Sequence, residues 1–107
     1  MSKVKEAIAA DVENAMSDKT GKYLIDFYAE WCGPCKNLLP ILDSVSEKND
    51  NVTILKVNVD KNLDIAKDER FRVRSIPQMF FIKEGEIKKS MLGLQSESEI
   101  QNTLNSL

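Results

Sequence analysis

Apolar residues at Val4, Ile8, Val12 and Met16 recur every four positions, a stripe that predicts an amphipathic helix from Val4 to Met16. Thr20-Gly21-Lys22 interrupts it. The run from Tyr23 to Tyr28 is short, aromatic and β-branched, and predicts a strand buried on both faces with Asp26 inside it. After Cys32-Gly33-Pro34-Cys35, the positions Leu38, Leu39, Leu42 and Val45 trace one face of a second helix. Pro34 suits its first turn, where a missing N–H costs nothing, and Pro40 inside it should bend the helix. Val52 to Val59 reads as a central strand carrying Lys56, and Leu63 to about Arg70 as a short helix whose Lys67–Arg70 end is a solvated face. Phe71 to Ser75 connects onward. The segments Gln78–Lys83 and Ile87–Leu92 flank Glu84-Gly85-Glu86, a hairpin signal, with Phe80 and Phe81 as packing residues. Ser96 with Glu99 forms a capping box ahead of Ile100, Leu104 and Leu107, an amphipathic terminal helix. The order α-β-α-β-α-β-β-α predicts a mixed sheet, parallel where crossovers join strands and antiparallel at the hairpin.

The chain has 107 residues, enough for one domain, 1–107, with no repeat or linker in sight. Hydrophobic residues are 42% and charged residues 30%, the make-up of a folded domain rather than a disordered one. Fifteen Lys and Arg against seventeen Asp and Glu give a net charge of −2, which removes the bulk electrostatic case for nucleic acid or an anionic membrane as partner. Apolar stretches such as Met79-Phe80-Phe81-Ile82 are far below a membrane span. Met1-Ser2-Lys3 leads into a charged, Ala-rich segment without an apolar secretory core, so the cytoplasm is the expected compartment.

The chain contains no histidine, which excludes a Ser/His/Asp triad, a Cys/His nucleophile pair and a His-ligated metal. Its two cysteines, Cys32 and Cys35, stand three apart, a spacing that random placement would produce in roughly 2% of arrangements. A structural zinc takes four ligands, so a zinc reading would need carboxylates or a second molecule. A stapling disulfide over so short a loop would add little global stability. A redox pair remains. With Cys32 at the start of a helix and Cys35 one turn inside, the unpaired N–H groups and positive dipole end favour a thiolate at Cys32. That thiolate can attack a disulfide, and Cys35 can resolve the mixed disulfide. Gly33 permits close backbone approach and Pro34 stiffens the turn.

Asp26 lies between Ile25 and Phe27, where burial would push its carboxyl toward neutrality. It is a candidate proton acceptor for Cys35, with Lys56 on the neighbouring strand as its charge partner; a purely structural carboxylate stands as the alternative. Trp31, beside the nucleophile, is a candidate substrate contact. Glu30 and Lys36 flank the pair as exposed charges that either tune the local field or leave it unchanged.

The segment from Asp26 to Lys36, with Trp31-Cys32-Gly33-Pro34-Cys35 at its centre, closely resembles the active-site segment of the thioredoxin family. The resemblance extends to Pro40, Lys56 to Asp60, Arg74-Ser75-Ile76-Pro77, the hairpin from Phe81 to Glu86, and Gly93. It implies an α/β thioredoxin fold, a central mixed five-stranded sheet flanked by four helices. The extra strand falls near residues 3–6, with the first helix from about residue 8. It further implies a cis bond before Pro77, a backbone at Ile76 offered to an extended substrate, and an apolar contact surface of Trp31, Gly33, Pro34, Ile76, Pro77 and Gly93. Tyr28 stands where the family usually has Trp, adding a hydroxyl that needs a partner. Gln78 replaces a common Thr, Leu94 a smaller residue, and the stretch from Asp60 to Pro77 is roughly two residues longer than usual.

Three readings follow. The first is a protein-disulfide reductase, an electron carrier recharged by an NADPH-dependent thioredoxin reductase, acting as a monomer on protein disulfides. The second is a binding module whose cysteines are dispensable. The third, an oxidase or isomerase of disulfide formation, fits poorly with the absence of a signal segment. The intact pair and Asp26 favour the reductase. No bound cofactor is expected, because the two sulfurs carry the electrons and no Gly-rich dinucleotide motif is present.

Overall fold

The computed structural model describes residues 3–107, so Met1 and Ser2, which open the predicted leader-free start, lie outside the described residues. Nine elements follow in order: β1 (Lys5–Ala7), α1 (Ala9–Ser17), β2 (Lys22–Tyr28), α2 (Gly33–Lys48), β3 (Thr53–Asn58), α3 (Leu63–Lys67), β4 (Gln78–Lys83), β5 (Glu86–Leu92) and α4 (Glu97–Asn105). The strands form one sheet in the order β1-β3-β2-β4-β5. β1, β3 and β2 run parallel, and β4 and β5 add antiparallel pairs. This is the mixed five-stranded sheet with four helices that the resemblance implies.

Alternation along β2 and β3 sends side chains to two apolar layers. On one face Ile25, Phe27, Leu55 and Val57 pack with Val12 and Ala15 of α1 and Ile65 and Ala66 of α3. Phe27, Phe71 and Phe80 meet there with ring centroids 5.1–5.6 Å apart. On the other face Leu24, Ile54, Met79 and Phe81 pack with Leu38, Leu42 and Val45 of α2 and Ile100 and Leu104 of α4. Asp26, between Ile25 and Phe27 in sequence, therefore shares the α2 side with Leu24. In register it sits opposite Lys56 on β3 and Met79 on β4.

The stripe from Val4 does not make one helix. Residues 5–7 pair with Leu55, Lys56 and Val57 as an edge strand, and Ile8, 60% exposed, caps α1 instead of facing the core. Four-residue spacing alone cannot see the backbone donors that β3 presents to a neighbour. α3 also ends early, at Lys67. The Asp68 carboxylate accepts from the Arg70 N–H at 2.9 Å, and the Asp68 carbonyl accepts from the Phe71 and Arg72 N–H groups, so the chain turns away from the helix axis. Arg70 does not extend a solvated helix face; it grips Glu13 on α1 through two bonds of 2.8 and 2.7 Å. The capping box at Ser96 and Glu99 forms as the spacing predicts.

The β4–β5 hairpin closes through Glu84 and Gly85, both at positive φ (55° and 80°), the signature of a tight two-residue turn matched to strand twist. A Cβ on Gly85 would fall 2.9 Å from the Met16 carbonyl oxygen, whereas one on Gly93, at φ 85°, would meet nothing within 4 Å. Gly85→Ala is therefore expected to cost about 2 kcal/mol and Gly93→Ala about 1 kcal/mol, the second from backbone conformation alone. Urea unfolding of the two variants checks the order; equal losses would mean that the hairpin tip yields freely.

Candidate active site

β2 ends at Tyr28 and the chain turns through Ala29 to Trp31 into α2. Cys32 is the N-cap of α2, in extended backbone (φ −88°, ψ 111°), and Pro34 occupies the first turn as expected. The Cys35 N–H donates to Cys32 Sγ at 3.2 Å. A sulfur thus fills the role that an oxygen plays in an ordinary cap, and the first turn holds no acidic residue to neutralise the positive helix end. The two cysteines form a disulfide with Cα atoms 5.2 Å apart. Cys32 keeps 5% of its surface and Cys35 only 1%, so an incoming group reaches Cys32 first.

Ile76, in the loop before β4, faces the pair and is followed by Pro77. The Ile76 carbonyl oxygen lies 3.9 Å from Cys32 Sγ, and the Ile76–Pro77 peptide is cis. The Gly93 N–H donates to the Pro77 carbonyl at 2.8 Å, which joins the end of β5 to this loop. Trp31, Gly33 and Pro34 are exposed, Gly93 is half-buried and Pro77 is buried, while half-buried Ile76 packs with Val59 against the cluster of Tyr28, Ala29, Cys32 and Cys35. A Cβ at Gly33 would meet nothing within 4 Å, so the fold leaves that space open beside the sulfurs.

Asp60 was not singled out from sequence as a site residue, yet its carboxylate accepts from Trp31 Nε1 at 2.8 Å and fixes an indole that is 71% exposed. Asn58, buried at the end of β3, holds Asp60 in turn by accepting from the Asp60 and Lys61 N–H groups at 2.9 and 3.2 Å. An Asn-x-Asp turn signal after β3 marks a turn, but nothing in it points to an indole 29 residues earlier.

Asp26 is fully buried, and among the described residues neither carboxylate oxygen has a hydrogen-bond partner. Desolvation pushes its carboxyl up to about 8, with the Lys56 ammonium pulling the other way. Lys56 acts on Asp26 only through this field. Its direct ion pair is with Glu6 at 3.6 Å, and its ammonium sits 5.2 Å from the centre of the Tyr28 ring. Glu6 also accepts the Tyr28 hydroxyl hydrogen bond at 2.6 Å, the partner that this hydroxyl requires. Burial, and then that contact, hold the Tyr28 phenol well above its usual range. Glu6, Tyr28, Lys56, Leu39 and Cys35 line a cavity of about 270 Å³.

A cysteine pair at an open helix end, beside the Ile76 carbonyl and apolar side chains, can exchange disulfides with an extended peptide. These features define a dithiol–disulfide oxidoreductase. The comparisons with known proteins agree. The thioredoxin family profile matches residues 3–106. The chain is 36% identical over 103 residues to thioredoxin of Rickettsia prowazekii (strain Madrid E), covering 95% of this chain and 96% of that one. It is 38% identical over 106 residues to thioredoxin of Haemophilus influenzae, covering 98% and 97%. Among solved structures, a Malassezia sympodialis thioredoxin superposes with a TM-score of 0.83 at 28% identity, covering 99% of this chain and 91% of the other. A chain from a study of thiol resolution in a yeast mitochondrial 1-Cys peroxiredoxin via glutathione/thioredoxin systems superposes with a TM-score of 0.88 at 26% identity, covering 100% of both. The chain belongs to the thioredoxin family. It is a protein-disulfide reductase whose electrons reside on Cys32 and Cys35, and regeneration by an NADPH-dependent thioredoxin reductase is the usual arrangement in this family. Among the described residues no helix is long and apolar enough to cross a membrane.

Proposed function

We propose that residues 1–107 act as one domain and as a monomeric carrier in a reducing compartment, the cytoplasm. In this reading the protein draws electrons from a thioredoxin reductase and passes them to disulfides of other proteins. The observation that carries the reading is the placement of Cys32: it caps an uncompensated helix N-terminus with Cys35 N–H pointing at its sulfur. Reduced Cys32 is held as a thiolate by that N–H and the helix end. It attacks one sulfur of a substrate disulfide; the Cys32–substrate bond forms, the substrate S–S bond breaks, and the released substrate thiolate takes a proton. Cys35 then gives its proton to Asp26 and attacks Cys32 Sγ. The mixed disulfide breaks, and a second substrate thiolate leaves and is protonated. One protein dithiol becomes one protein disulfide, and one substrate disulfide becomes two thiols.

Asp26 suits the acceptor role because its carboxyl, near 8, lies close to an ordinary thiol at about 8.5, so the transfer is nearly level in energy. Lys56 is the charge that keeps the ionised form accessible. Trp31, Gly33, Pro34, Ile76, Pro77 and Gly93 form the surface on which the substrate segment lies, with Ile76 offering its backbone and Pro77 packing from below. Insulin reduction tests the reading: turnover with NADPH and a thioredoxin reductase supports it. A protein that fails to reduce insulin even after chemical reduction, with the fold intact, overturns it in favour of a binding module.

Cys35→Ser is expected to attack once and stop. Without the second thiol the mixed disulfide persists, so non-reducing gels and mass spectrometry should show a stable one-to-one adduct with a disulfide substrate. Free product with no adduct would mean that another group resolves the intermediate.

A further inference from the structure

Next to the cysteine pair, Trp31, Val59, Leu63, Ala66, Val73 and Ile76 line an apolar groove of about 210 Å³. Lys67 and Arg74 stand on its rim. The same two cations, with Val73 and Arg72, line an adjoining depression of about 270 Å³. Trp31 is 71% and Leu63 53% exposed, so the groove is open. Its inner end is Ile76, whose carbonyl oxygen lies 3.9 Å from Cys32 Sγ. Whatever occupies the groove sits beside the attacking sulfur.

The Lys67–Arg74 side of the groove is positive, while the Asp60 carboxylate stands at its Trp31 end, tied to the indole N–H. Arg70, the remaining cation of this segment, is held by Glu13 and Asp68. Among the described residues no carboxylate lies in ion-pair range of Lys67, Arg72 or Arg74, all three exposed. Asp60 and Asp64 line a different depression beyond Leu63. Arg72 is held at φ 47°, which a glycine would adopt more easily, by its own N–H on the Asp68 carbonyl at 2.8 Å and by Val73 N–H on the Ala66 carbonyl at 2.9 Å. These bonds fix Val73 in the wall of the groove with Arg72 and Arg74 on either side. A chain with a net charge of −2 thus presents a positive cluster along an apolar groove that borders its nucleophile.

We propose that this groove and its basic rim form a specificity subsite for substrate proteins in which an apolar side chain and acidic residues flank the disulfide. The proposal rests on the reductase reading and names the substrate class of that site. The apolar side chain fills the space between Trp31 and Val73, and the carboxylates meet Lys67, Arg72 and Arg74. Fields of one sign around a cleft act mainly on association, and they weaken as salt shortens their range.

The test uses chemically reduced protein with no reductase present. Three disulfide-bonded peptides share one sequence except around the cysteine, where Leu and Glu, Leu and Lys, or Ser and Glu stand on both sides. At low ionic strength the Leu/Glu peptide should be reduced about tenfold faster than the Leu/Lys peptide, and several-fold faster than the Ser/Glu peptide. The charge preference should shrink to about twofold in 0.5 M salt. Lys67→Glu combined with Arg74→Glu should invert the order of the Glu and Lys peptides, an outcome that a misfolded protein cannot give. Equal rates for all three peptides in wild type overturn the subsite while leaving the reductase reading intact. Reduction of none of them overturns both. A charge preference seen only when a reductase recharges the protein assigns the rim to the reductase and overturns the proposal.

Discussion

Cys32→Ser is expected to lower turnover of a protein disulfide by at least about 10⁴-fold, to the spontaneous background. A serine hydroxyl does not ionise near neutral pH, so neither the helix N-terminus nor the Cys35 N–H can make it a nucleophile toward sulfur. The fold should survive the change. Cys32 is the N-cap of α2, and serine is among the preferred residues there; its oxygen can accept from the Cys35 N–H as the sulfur does at 3.2 Å. The lost disulfide closes a loop of only three residues' separation, so its contribution to stability is small. Circular dichroism and urea unfolding should therefore match wild type within about 1 kcal/mol, while NADPH oxidation coupled to insulin reduction falls to the blank. Appreciable turnover in a well-folded variant would place the first attack on Cys35. The 5% and 1% exposures of the two cysteines speak against that order of events.

Much of this site was legible because its chemistry is local in sequence. Cys32, Pro34 and Cys35 belong to one helix turn, and the turn itself supplies the donor that stabilises the sulfur. Asp26 could be placed in the core because an isolated carboxylate within Leu24–Phe27 has nowhere else to go. The mixed character of the sheet, parallel at the crossovers and antiparallel at the hairpin, followed from crossover rules and one turn signal. What local patterns could not supply were contacts between residues far apart in the chain. β1 was hidden under a helical period because its pairing partner, Leu55 to Val57, lies 50 positions away. Asp60 reaches Trp31 across 29 residues, and Glu6 reaches Tyr28 across 22. The expected Asp26–Lys56 pairing was visible as neighbouring strands, but the competitor for Lys56, Glu6, stands on the strand that periodicity missed. The Lys56 ammonium thus pairs with Glu6 and, among the described residues, Asp26 has no direct partner.

That missing partner makes the stability of the fold depend on the charge of Asp26. Its carboxyl titrates near 3.8 when solvated and near 8 in the fold, because burial disfavours the charged form more than Lys56 favours it. Between those values the folded protein binds a proton that the unfolded chain has released, so stability falls as pH rises. The benefit of the neutral acid is complete below about 3.8 and is lost by the time pH has passed about 8. At about 1.4 kcal/mol for each tenfold, the ionised carboxylate costs on the order of 5 kcal/mol above pH 8. Asp26→Asn carries no such charge. Urea unfolding at pH 5, 7 and 9 should show wild type losing stability across the series and the variant gaining on it at each step, with the difference levelling off above pH 8. A constant difference at all three pH values would mean that Asp26 does not titrate in this range. The same variant should reduce insulin more slowly without losing activity altogether, since Cys35 would then release its proton to water. Stability gained and turnover lost together would identify the carboxylate as a group kept in the core for its proton chemistry, against the cost it imposes on folding.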